Sequence, residues 1–489
     1  TEAHNRQANF DFATGKLLVA GPLSNVGGCT ICVPSDGSVG LQFDKSALEP
    51  RIGFAWKPLG SQNTAIRAGY AIFHDSSWNQ GAQGLWENPP YLAEADNFFG
   101  LCPFGNTTLD CGLSRSFLPI ITAPPNPATF PGTVQTQNLD FKQGMIQQFN
   151  VNFERQLPGN AVLTVGYAGS RSSHILVDGL NLNIKSPPAC GVVSGYTLGC
   201  GLSTTTAPYP NFGLINNSND VGRAHYNSLQ VKLETKSERH GLYALLGYTY
   251  SRTYDSGLPD GLGTSPGGVY WPLPGTQRLD WGLSSLNLNH QFTASFLYNL
   301  PFGKGKHFGG NWNGATNAVL GNWEVDVIEK ATSGFPLFVV DTSNPSTVNF
   351  QWNGSALGDR PNMVGNPNQP GGTGANCPTQ VHTITAWFNP CAFASAPAGE
   401  LGTAPRTQVS GPRFVNTDLS VIKHFLLREQ MALDFRAEFF NVLNHPQFFL
   451  GGGPSAGGMQ DIAEPSTFGV INQTVNNPRV IQFALKLQF

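Results

Sequence analysis

Cys29 and Cys32 stand in a C-x-x-C pair, a spacing shared by redox dithiols and by half of a zinc site. Redox use needs a βαβ context and zinc needs two further ligands; the surrounding sequence offers neither. The other six of the 8 cysteines also fall as near neighbours: Cys102 with Cys111, Cys190 with Cys200, Cys377 with Cys391. Local disulfides, each closing a small ring within one loop, are the expected chemistry in place of metal binding. They suit an oxidising compartment or cell surface. The two-residue spacer of Cys29 and Cys32 places the tightest demand on bridge geometry.

The remaining motifs read as bland. Gly453-Pro454-Ser455-Ala456-Gly457 fits G-x-S-x-G, but a nucleophile elbow needs a strand before it and a helix after it. Here the serine sits in a glycine run within a long connection. No H-E-x-x-H or phosphate-binding loop occurs. The acids Glu154, Glu234, Asp326, Asp434 and Glu438 read as a solvated wall balanced by Arg67, Lys232, Arg436 and Lys486. His74-Asp75 at a strand end is a weak metal candidate. Trp78, Trp86, Trp271, Trp352 and Trp387 lie in long connections, where they either stack on a flat extracellular ligand or pack within loops and an interfacial belt. The sequence therefore predicts no catalytic residue, no metal and no cofactor.

The elements that hold these residues follow from composition and periodicity. Only 12% of the 489 residues are charged, about half the usual ~25%. Lys plus Arg number 28 against 31 Asp plus Glu, which excludes the basic surface that nucleic acid requires. Gly (57) and Pro (36) are abundant, yet 33 Phe, 12 Tyr and 9 Trp supply ample apolar surface, so generic disorder is excluded. No apolar run reaches the ~18 residues of a membrane helix. The opening Thr1-Glu2-Ala3-His4-Asn5 has no basic-then-apolar leader and no initiator Met, and reads as a fragment or a processed chain.

Period-two alternation recurs along the chain. Phe149, Val151, Phe153 and Leu157 alternate with Asn150, Asn152, Glu154 and Gln156; the turn Pro158-Gly159-Asn160 then leads to Ala161, Leu163, Val165 and Tyr167. Equivalent runs begin at Arg51, Ile66, Leu229, Leu242, Leu288, Trp323, Val415 and Met431. Short or moderate turns follow residues 57, 157, 236, 300 and 425, and long Gly/Pro/Asn-rich connections follow 74, 171, 252, 340 and 441. A sandwich also alternates, but long charged residues on the polar positions and one-sided long loops favour a membrane barrel with ~10-residue strands.

The chain ends with apolar residues at Ile481, Phe483, Leu485, Leu487 and Phe489, alternating with polar or small ones. A last strand closing on Phe resembles the assembly signal of bacterial outer-membrane barrels. Further segments carry a family likeness: Pro50-Arg51-Ile52-Gly53-Phe54-Ala55-Trp56, Arg67-Ala68-Gly69-Tyr70-Ala71-Ile72-Phe73-His74-Asp75, Tyr226-Asn227-Ser228-Leu229-Gln230, Tyr298-Asn299-Leu300-Pro301-Phe302-Gly303, and 435–446 with Asn441-Val442-Leu443-Asn444-His445-Pro446. In this order, over residues 40–489, they resemble the C-terminal barrel portion of Oar-like TonB-dependent receptors.

The resemblance implies an all-β fold: the C-terminal half, about 11–12 strands, of an antiparallel transmembrane β-barrel with long extracellular loops and short periplasmic turns. Residues 1–489 would form one partial barrel domain, without the plug and the N-terminal strands. The implied function is energised uptake of an unidentified nutrient across the bacterial outer membrane. The implied partners are outer-membrane lipid, the barrel-assembly machinery acting through the C-terminal strand, the TonB complex acting through the absent N-terminal region, and an extracellular ligand. A structural or adhesive surface protein and a passive porin are the alternatives.

Overall fold

The computed structural model describes residues 6–26, 29–41, 47–60, 62–75, 85, 88–91, 134–183, 189–193, 196–199, 208–209, 212, 215–237, 241–256, 281–341, 343, 351–352, 355–356, 361–372, 374, 377–397, 402–405, 407, 409–428, 431–450 and 459–489. Its main feature is one long sheet. Its main path has eleven strands, β1 (Arg51–Trp56), β2 (Thr64–His74), β3 (Met145–Leu157), β4 (Ala161–Asn181), β5 (Ile215–Ser237), β6 (Leu242–Asp255), β7 (His290–Asn299), β8 (Trp323–Thr332), β9 (Phe414–Arg428), β10 (Met431–Phe440) and β11 (Val480–Gln488); beside it, Val134–Gln137 pairs parallel with the start of β5 and Gly282–Leu283 antiparallel with the end of β6. Each of the eleven pairs with its sequence neighbour, always antiparallel. The sheet is open: β1 and β11 form its two edges and do not pair with one another.

Alternation is what holds the register, because a one-residue slip would turn every apolar side chain to the polar face. The tightest link, Pro158–Asn160, places Gly159 at φ 78° and Asn160 at φ 58°, a left-handed pair that glycine and asparagine tolerate. The links 57–63, 158–160, 238–241, 300–322 and 429–430 leave one end of the sheet, and 75–144, 182–214, 256–289, 333–413 and 441–479 leave the other.

Three expectations change in detail. β4 and β5 run well past the expected ~10 residues, to Asn181 and from Ile215, and their ladder slips between Asn217 and Ala224. β9 continues to Arg428, with an irregularity after Leu426, so the turn is shorter than the expected 426–430. The strand beginning at Trp323 stops at Thr332, and Pro336–Val340 is a separate, wholly buried strand outside the sheet.

The buried cores lie in the long connections rather than on the sheet. Strands Ala8–Asp11, Lys16–Ala20 and Cys32–Ser35 form a small sheet. Phe10, Leu17 and Val19 pack there against Val134, Phe212 and Ile215 at the start of β5. Buried Asn9 fixes the docking: its side chain donates to the Gln137 carbonyl at 2.9 Å and accepts from the Gln137 N–H at 3.0 Å. A second core joins connections 333–413 and 441–479. Pro336–Val340 pairs antiparallel with Val409–Ser410 and parallel with Met459–Asp461. Leu337, Phe388, Phe393, Leu450, Phe468 and Ile471 meet around them.

Candidate functional site

Residues opposite one another in an antiparallel ladder point to the same face, so the register defines two surfaces. One runs through Arg67, Asn152, Gly166, Gln230 and Thr249, and again through Asp326, Ser420, Glu438 and Gln482. The other runs through Ala68, Val151, Tyr167, Leu229 and Tyr250, and through Val325, Val421, Ala437 and Phe483. The first surface is mainly polar, with Leu245, Leu297 and Ile422 interspersed opposite Glu234, Asp326 and Glu324, and the second is mainly apolar. Many large apolar side chains stand exposed, among them Ile52, Phe54, Val151, Leu229, Phe483 and Leu485. A patch of that extent is untenable in water and is ordinary in hydrocarbon.

The five acids singled out by the sequence lie on the polar face, and the structure pairs three of them with the bases expected to balance them. Arg67 bonds Glu154, Lys232 Nζ lies 2.8 Å from Glu234, and Arg436 Nε lies 3.8 Å from Glu438. Asp434 stands opposite Lys486 and receives the Gln488 amide at 2.9 Å. His424 and Glu324, not anticipated, complete this corner: His424 Nδ1 is 2.7 Å from Asp434 and Nε2 is 3.7 Å from Glu324. Their signal was their place on the polar positions of β8 and β9. Three of the five acids are thus neutralised by neighbouring bases, on a wall compatible with water.

Lys423 breaks the apolar face. Its side chain is buried, and its ammonium lies 5.6 Å from the Trp323 ring and 5.1 Å from the Phe425 ring and bonds the Gly321 carbonyl at the short-link end. The carbonyl and the two aromatic rings offset the burial of this charge.

Two expected disulfides are present. Cys29 and Cys32 join with Cα atoms 5.4 Å apart, and Cys377 and Cys391 with Cα atoms 5.6 Å apart. Cys102, Cys111 and Cys200 lie outside the described residues, so the pairs Cys102–Cys111 and Cys190–Cys200 do too. Around Cys391 the loop is further held by Asn389, which donates to the Gln369 and Gly371 carbonyls at 3.0 and 2.8 Å.

Of the loop tryptophans, Trp78, Trp86 and Trp271 lie outside the described residues, as does the Gly453–Gly457 motif. Trp352 belongs to a two-residue strand paired with Ser355–Ala356. Trp387 packs against the second core; its indole N–H donates to the Ser410 carbonyl at 2.8 Å and its ring meets His382 edge-on at 5.2 Å. It also lines a cavity of about 790 Å³ between that core and the sheet, with His290, Phe292, Val415 and His445. The His74 backbone N–H donates to Glu49 at 2.8 Å. Among the described residues no group of three or more His, Cys, Asp or Glu is placed to hold a metal.

Comparison with known proteins agrees with this arrangement. A family model described as an outer membrane beta barrel domain matches residues 1–482. No curated protein matches the chain. Among solved structures, the chain is similar to the outer membrane transporter YddB from Escherichia coli (9% identity, TM-score 0.42, covering 90% of this chain and 40% of that one). It is also similar to the siderophore receptor PirA from Acinetobacter baumannii (10%, 0.37, 90% and 40%) and to the pyoverdine receptor FpvA from Pseudomonas aeruginosa (8%, 0.37, 90% and 36%). The chain thus spans less than half the length of these proteins. Its two-faced sheet and the match over nearly its whole length make one statement: the chain belongs to the outer-membrane β-barrel domain family and is an outer-membrane protein.

Proposed function

We propose that the chain is the C-terminal part of an Oar-like, TonB-dependent receptor barrel that takes up an unidentified nutrient. The observation that carries this reading is the continuous polar face over eleven consecutive strands of an open sheet. Rolled inward, that face lines a wet lumen and leaves the apolar face to lipid. Strand direction adds a constraint. With an odd number of antiparallel strands, β1 and β11 run the same way, so joining them directly would make a parallel seam. Two copies related by an axis along the barrel would meet in the same way. Single-chain bacterial barrels have an even number of antiparallel strands. The complement that closes this sheet is therefore an odd number of further strands, and a preceding segment of a receptor barrel supplies them. Barrel-assembly machinery would engage Ile481, Phe483, Leu485, Leu487 and Phe489 on the exposed edge β11. The connections 333–413 and 441–479 would face the extracellular ligand.

The test is the full-length gene product in two assays. Capture by the purified periplasmic domain of TonB, combined with no steady conductance in KCl across a planar bilayer, supports an energised receptor. Large steady conductance without TonB capture overturns it in favour of a porin. The loop core and its disulfide favour a second reading, an adhesive surface protein, which predicts neither capture nor conductance.

A further inference from the structure

The apolar face ends in a row of basic and aromatic side chains at the long-loop end. Arg171 lies in register with Gln147 of β3 and His225 of β5, and His225 with Tyr254 of β6. Arg171 is ten residues from the start of β4. That is about 34 Å along the strand at ~3.4 Å per residue. At a tilt near 40° it is about 26 Å of height, the top of a ~25 Å apolar band. Below it on the same face lie Leu163, Val165 and Tyr167; beside it Trp281 meets His225 edge-on at 4.9 Å.

Here the ladder between β4 and β5 loosens, and a cavity of about 460 Å³ opens, lined by Gln147, Arg171, His174, Asp220, Arg223 and His225 among others. Arg171 is oriented by its bonds to the Ser170 and Tyr226 carbonyls and to Asn227. Among the described residues, neither Arg171 nor Arg223 has a carboxylate within ion-pair distance. Asp220, the one acid among the described residues of the lining, is held by His174 at 3.0 Å and by the Lys142 N–H at 3.2 Å. One oriented guanidinium, Arg171, with Arg223 in the same lining, at the top of a hydrocarbon band and with aromatic rings beside it, matches a ligand with a phosphate head and acyl tails.

We propose that this notch binds the phosphorylated headgroup of an outer-leaflet lipid, held against the outer wall. The proposal rests on the barrel reading, because it needs the apolar face to meet lipid. The test is native mass spectrometry of the full chain in detergent, supplied with bisphosphorylated lipid A, dephosphorylated lipid A or phosphatidylcholine. The expected result is selective retention of the phosphorylated lipid. Arg223→Gln should weaken retention about fivefold, since a basic residue near an anionic lipid surface contributes about 1 kcal/mol. Adding Arg171→Gln should bring the loss to about 25-fold. Arg155→Gln, at the opposite rim, should leave retention unchanged, and it controls for unfolding. Equal retention of phosphorylated and dephosphorylated lipid, or no loss in Arg223→Gln, overturns the proposal. Displacement of the lipid by inorganic phosphate overturns it too, in favour of a soluble-anion site. A chain that retains no lipid of any kind, phosphatidylcholine included, overturns the barrel reading itself.

Discussion

Removing the Cys377–Cys391 bridge should loosen the loop core without opening the sheet. The two cysteines are 14 positions apart, so the bridge closes a ring of about 15 residues, worth about 3 kcal/mol through restriction of the unfolded loop. Inside that ring lie Trp387 and Phe388, the latter fully buried and edge-on to Phe393 and Phe468 at 6.0 and 5.0 Å. The ring therefore fixes the residue that joins the two long connections. β8 and β9 are held instead by their own ladder from Trp323–Lys423 to Thr332–Phe414. A double Cys377→Ala/Cys391→Ala variant, followed by hydrogen exchange in detergent, should lose about two orders of magnitude of protection at Leu337, Val339 and Phe393, the equivalent of 3 kcal/mol. Protection in β8 and β9 should stay within a few-fold of its original value. Unchanged protection at Phe393, or equal loss in β8 and in the loop core, would refute the idea of a stapled core that stands apart from the sheet.

Other perturbations follow from the same geometry. Phe388→Ala should destabilise the loop core by about 3–5 kcal/mol, read as faster proteolysis of 361–397 with the sheet intact. Leu419→Arg, on the apolar face opposite Val327 and Phe439, should cost about 2–4 kcal/mol in denaturant-titrated folding into vesicles, whereas Ser420→Arg on the polar face should cost far less. Gly334→Ala should disturb the entry to the loop core, because an added Cβ would collide with the Gly411 carbonyl; near-native stability would show that this approach relaxes freely. Asp36 accepts from the Ser38 hydroxyl and N–H, which hold its carboxyl below the usual range. A lowered folded pKa makes this turn most ordered above the ordinary aspartate range and loosens it as pH falls through the folded value; NMR titration of Ser38→Ala should move Asp36 upward.

Much of the sheet was legible because alternation is a strong local signal and a barrel wall needs nothing else. The polar runs of β3, β8 and β10 named their own face, and three of the four bases expected to balance that wall, Arg67, Lys232 and Arg436, pair with Glu154, Glu234 and Glu438. The extensions of β4 and β5 were not legible. Ser170, Ser172 and Ser173, and Asn216, Asn217 and Asn219, carry no apolar period, and tertiary pairing alone orders them. The loop core was equally hidden, because Leu337, Phe388, Val409, Leu450 and Ile471 come from distant segments with no shared period. The small N-terminal sheet did leave a signal: Ala8-Asn9-Phe10 and Leu17-Leu18-Val19 flank a turn closed by Gly15 at φ 65°. Closure was beyond reach on any local rule, since it depends on strands that would pair with β1 and β11.

The most direct test of the account is site-directed spin labelling along β3 of the full-length protein reconstituted in lipid. Labels at 149, 151 and 153 should be accessible to oxygen dissolved in the hydrocarbon, and labels at 150, 152 and 154 to a water-soluble nickel chelate, in strict alternation. Alternation of the opposite phase, or water exposure at all six positions, would contradict a membrane wall with its polar face turned inward.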